Sequence, residues 1–565
     1  MLRYISYHCV FPRYGSLLPR SGFHSAFRRL GFAYPHSTKA KPTMIAVRND
    51  GGVDMSEFVG YMEKLKNYER SGVPKDAGMD SEEGFDLGRM RRLLRRLGDP
   101  HLNFKAVHIA GTKGKGSTLA FLSSILREEG YSVGCYTSPH LMTIRERISF
   151  GKFDEYVSAT VLTNLLHKIK GIIDQSMELE NGALTHFEIF TAIAFTLFSQ
   201  EKVEIVIIEA GLGGARDATN VLTSNELTTA IITTIGEEHL AALGGSLESI
   251  AMAKSGIIKQ DRPLIIGGPF EHHIESILRD KASLMCSPVV SASDPGIKSI
   301  VKSYEKRGDK LFQICDIFIN VKKDLPLYIE LCDLNLSMLG DHQLQNAVTA
   351  TCGALCLRSQ GWKISDESIH VGLEHTILPG RGQFLTKNEI ESIGLSGVSV
   401  LIDGAHTEVS ARSLAGTIRK ICSNESMALV VAMATDKDHA SFLRALISGL
   451  RPDVVLLTEV SIAGSKSRMT PSSSLKTSCV QGAMDLGIDV TDIGEITHAK
   501  SMDGLLISSK ENPNAMLIGC ATESTVISMK AANELLKSIR GSKNGLIVVT
   551  GSLHIVSSVL SSIVF

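Results

Sequence analysis

Several features that would assign this sequence to a narrow class are missing from it. The 565 residues carry a net charge of −1, so no overall charge favours nucleic acid or an acidic membrane as a partner. Ten cysteines are scattered without a CxxC pair, which argues against a disulfide framework or a structural zinc site. The longest apolar run, 186–198, is interrupted by Glu188 and is too short to span a bilayer. A composition of 43% hydrophobic and 21% charged residues is that of a globular chain, long enough for two or three domains.

Acidic residues are absent from the first 49 positions, which also contain several serines. An arginine-rich, serine-rich and acid-free composition is typical of an organelle transit peptide, whereas a secretory signal would need a long apolar stretch. We therefore predict a transit peptide at 1–50 and a location in the mitochondrial matrix, with the plastid and the cytosol as alternatives. A disordered basic tail is the other interpretation. The basic residues of this segment are Arg3, Arg13, Arg20, Arg28, Arg29, Lys39, Lys41 and Arg48.

Short apolar segments alternate with helical patterns along the rest of the chain. Continuous apolar strands between helices predict parallel sheets that helices cover on both faces. The interval 285–335 is less regular, with strands expected at 316–323 and 327–333, and 465–474 is expected to be a flexible loop. The other predicted strands are 104–110, 131–137, 203–210, 228–235 and 263–268 in the first half, and 398–405, 428–435, 453–460, 515–521 and 545–552 in the second.

The stretch "GTKGKGS" (111–117) lies between the predicted strand 104–110 and a helical pattern at 118–130. It differs from the usual phosphate loop G-x-x-x-x-G-K-[ST], because only two residues separate Gly111 from the Gly-Lys pair. Glycines at the carboxyl end of a parallel strand let backbone N–H groups approach phosphate oxygens, and the following helix N-terminus favours negative charge. The sequence therefore indicates a phosphate site, with a glycine-rich structural turn as the alternative.

Three further side chains follow the ends of predicted strands. Glu209 ends an otherwise apolar strand, Ser138 follows a neighbouring one, and His239 lies just past a third. A carboxylate, a hydroxyl and an imidazole can all bind Mg²⁺ when phosphate oxygens and waters complete the coordination. Each residue alone has an ordinary structural explanation, but together with the glycine-rich loop they favour a phosphate and metal site. Lys254, in a helix after the His239 strand, would by itself be read as a solvated lysine.

A resemblance to a known family appears once these segments are read in order. "AGTKGKGST", "YTSPHL" with "RERI", "EAGLGGARDATN", "TTIGEEHLAALGGSLESIAMAKSGI", "LGDHQLQNA", "LPGRGQ", "DGAH" and "DKD" resemble the folylpolyglutamate synthase/dihydrofolate synthase family of the Mur ligase superfamily. The resemblance runs from about residue 55 to the C-terminus. It implies an α/β fold with a Mur-ligase-type phosphate-loop ATPase domain at 51–378 and a Rossmann-like domain at 379–565.

The resemblance also implies ATP-dependent amide ligation. ATP converts a carboxylate into an acyl phosphate, and the amine of L-glutamate displaces the phosphate. The expected cofactors are ATP and Mg²⁺, with a monovalent cation as a further candidate. The expected partners are small substrates, namely dihydropteroate or folate, L-glutamate and ATP; neither nucleic acid nor a membrane is expected, and the family precedent is a monomer.

Site residues carry over from the family where its motifs match. Lys115, Lys254 and His406 are implied to be catalytic, and Lys254 matches a lysine that family members carbamylate. Ser138, Glu209 and His239 are implied metal ligands. The residues implied to contact the acceptor substrate are His140, Arg145 and Arg147, and those implied to bind ATP are Gly111, Thr112, Lys113, Gly114, Lys115, Gly116, Ser117, Asn346, Arg381 and Asp403.

Three positions depart from the family pattern. Thr407 stands where Asn is common, Glu238 where Asp commonly precedes the histidine, and Gly382 where a larger residue is usual. None of the three removes a group with a named chemical role.

The acceptor is the remaining question, because both activities of the family use the same chemistry. "GLGGARDATN" and "AMAKSGI" resemble plant and bacterial dihydrofolate synthases more than eukaryotic polyglutamate synthases, and "IAGSKSRMTPSSS" resembles plant dihydrofolate synthases. This favours addition of the first glutamate to 7,8-dihydropteroate in plant mitochondria, with extension of a folate tail as the alternative. An inactive scaffold and a simple ATPase are hypotheses of other classes. The intact site motifs disfavour the first, and Lys254 together with "DGAH" disfavours the second.

Overall fold

The computed structural model describes residues 55–81, 84–422, 425–462, 464, 466–496, 515–539 and 545–563. The predicted transit peptide lies outside these described residues. In the part of the chain that the structure describes, no helix combines the length and the apolar character needed to cross a membrane. All cysteines within it are free thiols, in agreement with the absence of a disulfide pattern in the sequence.

The first sheet has eight strands in the order β4-β3-β2-β5-β1-β6-β7-β8. The six strands from β2 to β8 are parallel, and β3 and β4 extend the sheet in antiparallel fashion beyond β2. The strands are β1 Lys105–Ala110, β2 Val133–Tyr136, β3 Ile148–Phe150, β4 Glu155–Tyr156, β5 Ile205–Glu209, β6 Leu227–Ile232, β7 Leu264–Ile266 and β8 Val289–Ser291.

Helices cover both faces of this sheet, as the apolar strands predict. Alternate residues of β1 enter different cores, with Ala106 and Ala110 in one, and Val107 and Ile109 in the other. This follows from the period of two in a strand. The helices of this part are α1 Ser56–Glu63, α2 Tyr68–Ser71, α3 Leu87–Arg96, α4 Lys115–Glu128, α5 Ala159–Leu179, α6 His186–Gln200, α7 Leu247–Ser255, α8 His272–Leu284, α9 Asp341–Ser359 and α10 Asp366–His375.

The interval that looked irregular forms a three-stranded antiparallel sheet in the order β11-β10-β9. Two of its strands were predicted, but β9 was missed because most of its side chains are exposed and polar, which leaves only a weak apolar pattern. The strands are β9 Ile297–Arg307, β10 Lys310–Val321 and β11 Leu327–Leu336.

The second large sheet has seven strands in the order β12-β13-β18-β14-β15-β17-β16, all parallel except β12. Its first strand begins after the predicted domain boundary at 378/379, and that boundary stays a prediction. The elements are β12 Gln383–Phe384, α11 Lys387–Ser392, β13 Val398–Ile402, α12 Glu408–Ile421, β14 Ser426–Val431, α13 His439–Leu450, β15 Val454–Leu457, α14 Ser472–Asp485, β16 Val490–Glu495, β17 Met516–Cys520, α15 Thr525–Ile539, β18 Gly545–Thr550 and α16 Leu553–Ser561.

The sequence prediction of a loop over 465–474 is wrong at its C-terminal end, where α14 begins at Ser472. Pro471 precedes the helix as its N-cap, and a serine-rich first turn is compatible with a helix start. The preceding segment runs antiparallel to 433–435, since Thr435 N–H donates to Arg468 O at 3.0 Å and Thr470 N–H donates to Met433 O at 3.2 Å. The high serine content of 465–474 therefore suggested a flexible loop, although part of this segment has defined backbone pairing.

Candidate active site

The glycine-rich loop connects β1 to α4, the strand-to-helix context that a phosphate site requires. Gly114 forms the N-cap of α4 with φ +83°, in the left-handed region that favours glycine. A Cβ atom at Gly114 would collide with Asn346 Oδ1, so the predicted nucleotide-side asparagine lies directly against the loop. The first backbone N–H groups of α4 are left without helical partners, which makes this end suitable for phosphate oxygens.

Two threonines after β6 hold the loop in place. Thr112 N–H donates to Thr234 O at 2.8 Å, and Lys113 N–H donates to Thr234 Oγ1 at 2.8 Å. Thr233 Oγ1 donates in turn to Lys113 O at 2.6 Å. These threonines were not among the predicted site residues, although their position at the carboxyl end of a strand adjacent to β1 was a usable signal.

Lys115 begins α4 and turns its amine back over the loop. Its Nζ donates to Gly111 O at 3.1 Å and lies 3.7 Å from Glu209 Oε1. Ser138 N–H donates to the other oxygen, Glu209 Oε2, at 3.3 Å. The residues that follow, Gly116 and the buried Ser117, complete the first turn of α4, and a Cβ at Gly116 would lie 3.6 Å from Glu209 Oε2.

Glu209 is only 5% exposed. Burial raises the pKa of its carboxyl group, while Lys115, the Ser138 N–H and Arg381 act in the opposite direction. A buried carboxylate next to a phosphate site is costly unless cations compensate it. The Glu209 carboxylate and the Ser138 hydroxyl belong to adjacent residues of the structure and are oxygen donors of the type that Mg²⁺ prefers, but their role as metal ligands stays a prediction.

Lys254, near the end of α7, is buried at 5% exposure rather than solvated. Its Nζ donates to Gly111 O at 2.9 Å, the same carbonyl oxygen that accepts from Lys115. Burial, and next the charge of Lys115, lower the pKa of Lys254 to about 7. Its neutral amine is therefore populated near neutral pH.

His239 lies at the start of a short 3₁₀ helix, Leu240–Leu243, with φ +57°. Its side chain is exposed, and among the described residues no hydrogen bond joins its imidazole to Ser138 or Glu209. Nor does any group of three His, Cys, Asp or Glu side chains in the described ranges have an arrangement that could hold a metal ion. The structure therefore brings two of the three predicted metal ligands together, and the role of His239 stays a prediction.

Loops of the second sheet contribute Arg381, Asp403 and His406. Asp403 accepts hydrogen bonds from the N–H groups of Gly382 and Ala405 at 2.7 and 2.8 Å, so its carboxylate holds the two loops together. Arg381 lowers the pKa of Glu209, although burial of that carboxyl has the larger, opposite effect. Arg381 is therefore close enough to Glu209 to act on its charge, while the roles of Arg381 and Asp403 in ATP binding stay predictions.

Lys113, Glu238 and His406 form a polar network across the two sheets. Lys113 Nζ lies 2.9 Å from Glu238 Oε1 and 2.9 Å from His406 Nε2. His406 Nδ1–H donates to Gly404 O at 2.9 Å, and His406 Nε2 also lies 3.1 Å from Glu238 Oε1, so the amine, the imidazole and the carboxylate all contact one another. Burial would raise the pKa of Glu238, but His406 and Lys113 hold it well below its usual range. In the sequence, Glu238 is recognisable only as a departure from the family pattern.

Glu238→Gln should lower kcat/KM for ATP about tenfold, because Lys113 loses its carboxylate partner and burial disfavours its charge. Steady-state ADP release at varied ATP measures this change. Glu237→Gln is the matched control, since the neighbouring Glu237 is exposed and should behave like wild type. Equal kinetics of Glu238→Gln and wild type would show that the network has no part in ATP use.

The loop after Ser138 carries the three residues implied to contact the acceptor. Arg147 is 1% exposed and forms a bidentate pair with Glu69 at 2.9 and 2.6 Å, and its Nε donates to His140 Nδ1 at 2.9 Å. Arg145 Nε donates to Val157 O at 2.7 Å. Burial and the charge of Arg147 lower the pKa of His140 to about 4, so its imidazole is neutral. Glu69 was missed by the sequence analysis, because nothing in its local sequence indicates a partner 78 residues away.

Comparison with known proteins identifies the family of the chain. Residues 109–354 match the Mur ligase middle domain family, and residues 386–464 match the dihydrofolate synthetase C-terminal domain family. A dihydrofolate synthase/folylpolyglutamate synthase of Bacillus subtilis is 34% identical, over 64% of this chain and 78% of that protein. A probable dihydrofolate synthetase of Schizosaccharomyces pombe is 31% identical, over 66% of this chain and 82% of that protein.

Among solved structures, the folylpolyglutamate synthase of Thermotoga maritima has the same fold. It superposes with a TM-score of 0.66 and 27% identity, covering 90% of this chain and 96% of that one. The predicted α/β fold is thereby confirmed, with one sheet of the Mur ligase type and a second, mostly parallel sheet. The family matches, the relatives and the fold agree: the chain belongs to the dihydrofolate synthase/folylpolyglutamate synthase family and is an ATP-dependent ligase of folate biosynthesis.

Proposed function

We propose that this ligase acts as a dihydrofolate synthase, which joins L-glutamate to 7,8-dihydropteroate and releases ADP and phosphate. The match of 386–464 to a dihydrofolate synthetase domain is the observation that carries the choice of acceptor. The segments "GLGGARDATN" and "AMAKSGI" support it. Extension of a folate glutamate tail is the second candidate, because the Bacillus subtilis relative bears both names.

ATP is proposed to bind with its phosphates over the loop 111–117. The free N–H groups at the start of α4 would bind phosphate oxygens, and Lys115 and Arg381 would neutralise their charge. Phosphoryl transfer depends mainly on such positioning and charge neutralisation. Transfer of the γ-phosphoryl group to the acceptor carboxylate would give an acyl phosphate, whose phosphate the glutamate amine then displaces.

Ser138 and Glu209 are proposed to hold Mg²⁺, with His239 as a third ligand. When bound, the ion would neutralise negative charge on the ATP phosphates. Glu209 is buried and close to both Ser138 and Lys115, which is the arrangement such an ion would use.

Lys254 is proposed to carry an N-carboxylate formed with carbon dioxide. Only a neutral amine can react in this way, and burial makes that form available near neutral pH. The product would replace a buried cation by an anion close to the phosphate loop.

The protein is also proposed to be a monomer of the mitochondrial matrix. The leader composition supports the location, and import of a fluorescent fusion of residues 1–50 would test it. Sedimentation of the purified protein would test the monomer.

The preferred acceptor can be identified by measuring ADP release with Mg-ATP and L-glutamate in two reactions. One reaction contains 7,8-dihydropteroate and the other tetrahydrofolate monoglutamate. We expect turnover with dihydropteroate to exceed turnover with the folate at least tenfold. The reverse preference would make the protein a polyglutamate synthase, and ADP release that needs no glutamate in either reaction would contradict ligation itself.

A further inference from the structure

A continuous series of polar contacts joins the second sheet to the loop that follows Ser138. We call Asp436, Arg468, Glu69, Arg147 and His140 the polar bridge. Arg468 Nη2 donates to Asp436 Oδ1 at 2.7 Å, and Arg468 Nη1 donates to Glu69 O at 2.6 Å. The two Nη groups of Arg147 donate to the two carboxylate oxygens of Glu69, and Arg147 Nε donates to His140 Nδ1. Each contact in the series is therefore within hydrogen-bonding distance.

Arg468 is fixed at its own end of the bridge. Its carbonyl oxygen accepts from Thr435 N–H, so the residue is anchored beside Asp436 in the "DKD" segment. A guanidinium has several donors in a rigid plane and can therefore bind two partners with defined geometry. The Arg468 guanidinium thus links the Asp436 carboxylate, next to the second sheet, to the main chain of the short helix α2.

The other end of the bridge reaches the candidate active site. The Arg147 guanidinium also lies over the Phe190 ring, 5.9 Å from its centroid, in the core of the first sheet. The loop that carries His140 and Arg147 starts at Ser138, whose N–H donates to Glu209. A shift of Glu69 would therefore move Arg147 and, through it, the loop beside the buried carboxylate.

Arg147 itself has little capacity left for a ligand. Its Nε, Nη1 and Nη2 all donate to protein partners, and its side chain is 1% exposed. A role in positioning the loop fits these contacts better than direct contact with a substrate.

We propose that Arg468 is a positioning residue for the pterin-bearing acceptor, acting through Glu69 and Arg147 on the loop 137–147. This inference rests on the proposed function, which places the acceptor at that loop. Arg468 does not touch the reacting atoms; it sets where the loop stands relative to Glu209. It is also a residue of the segment for which sequence analysis predicted only a flexible loop.

A purely structural ion pair would behave differently. Asp436 is about half exposed, and exposed pairs contribute little to stability. Loss of Arg468 should therefore leave the melting temperature within about 2 °C of wild type while it changes acceptor binding. These two readouts separate positioning from stabilisation.

The test is Arg468→Met in the full-length chain, which keeps the apolar stem and removes the guanidinium. Arg412→Met is the matched control, because Arg412 forms an exposed pair with Glu408 in α12, remote from the bridge. Initial rates are measured at varied acceptor and at varied ATP, with whichever of dihydropteroate and tetrahydrofolate monoglutamate is turned over. Since the two acceptors share the pterin ring, the test does not depend on which of them the enzyme prefers.

We expect the KM for the acceptor to rise at least fivefold in Arg468→Met, with the KM for ATP and kcat changed less than twofold. Asp436→Asn, which removes the other partner, should give a smaller rise of the same kind, and Arg468→Lys should restore part of the acceptor affinity. An unchanged acceptor KM in Arg468→Met would overturn the proposal. So would equal rises in both KM values, because that pattern indicates general loosening of the fold. If the proposed function is wrong, the wild-type protein will prefer the folate acceptor, and this result is independent of the effect of Arg468→Met.

Discussion

Lys115→Met should lower the kcat of ligation by about 10³-fold, the size of effect seen when one preorganised charge-stabilising donor is removed. The amine of Lys115 is close to the loop carbonyl of Gly111 and to the buried Glu209, so it lies where phosphate charge would be neutralised. ADP release under saturating substrates measures the loss. Lys152→Met is the control, since Lys152 is exposed in a turn away from the loop.

The fold should survive this change, although some stability is lost. Removing the lysine leaves the Glu209 carboxyl buried without its nearby cation, which we expect to cost about 1–3 kcal/mol. The double variant Lys115→Met/Glu209→Gln should recover that stability, because neither charge is then buried alone, and should still be inactive. Wild-type-like turnover of Lys115→Met would show that the phosphate site lies elsewhere.

Lys254→Met should also abolish ligation, yet stabilise the protein near neutral pH. The lysine is buried beside a second cation, and its pKa falls from 10.5 in the ordinary state to about 7. A methionine of similar length removes the cost of burying a charge. A gain in stability with a loss of activity is the pattern expected when a strained group is kept for function.

The pH dependence follows from the direction of the Lys254 shift. Between pH 7 and 10.5 the unfolded chain binds this proton more than the folded chain does, so the stability of wild type rises with pH. The advantage of Lys254→Met should therefore shrink by about 1 kcal/mol per pH unit from pH 7.5 to 9.5. Urea unfolding in buffer free of carbon dioxide measures it.

Lys259 provides a matched control for this behaviour. Burial lowers its pKa to about 8, but it lies outside the candidate site. Lys259→Met should show a similar dependence of stability on pH and retain ligation. If Lys254→Met kept full activity, or if its advantage grew with pH, the assigned role and protonation state of Lys254 would be wrong.

Local sequence patterns predicted much of the fold and the centre of the site. The apolar period identified β1, β5 and β6, and with them the parallel arrangement that brings Lys115, Ser138 and Glu209 to one edge. These predictions succeed because strand periodicity, glycine conformation and the order of strands and helices are encoded within short segments. The exposed strand β9 and the start of α14 were missed, since their residues carry little local signal.

Family resemblance supplied the names of further site residues, but not their partners. Asp403 was implied to bind ATP, and in the structure its carboxylate joins two loops through backbone N–H groups. Lys254, which the sequence alone predicts to be solvated, is buried and donates to Gly111 O. Burial depends on what packs over a residue, and that is not a property of the segment containing it.

The sequence by itself thus determined the fold class, the position of the glycine-rich loop between β1 and α4, and the type of ligase. The tertiary structure decided the contacts between the two large sheets. Glu238 meets His406 across 168 residues of chain, and Arg468 meets the carbonyl of Glu69 across 399. Such pairs form only when two independently patterned sheets pack together, and the short-range periodicities that specify each sheet contain no information on which of their loops will face each other.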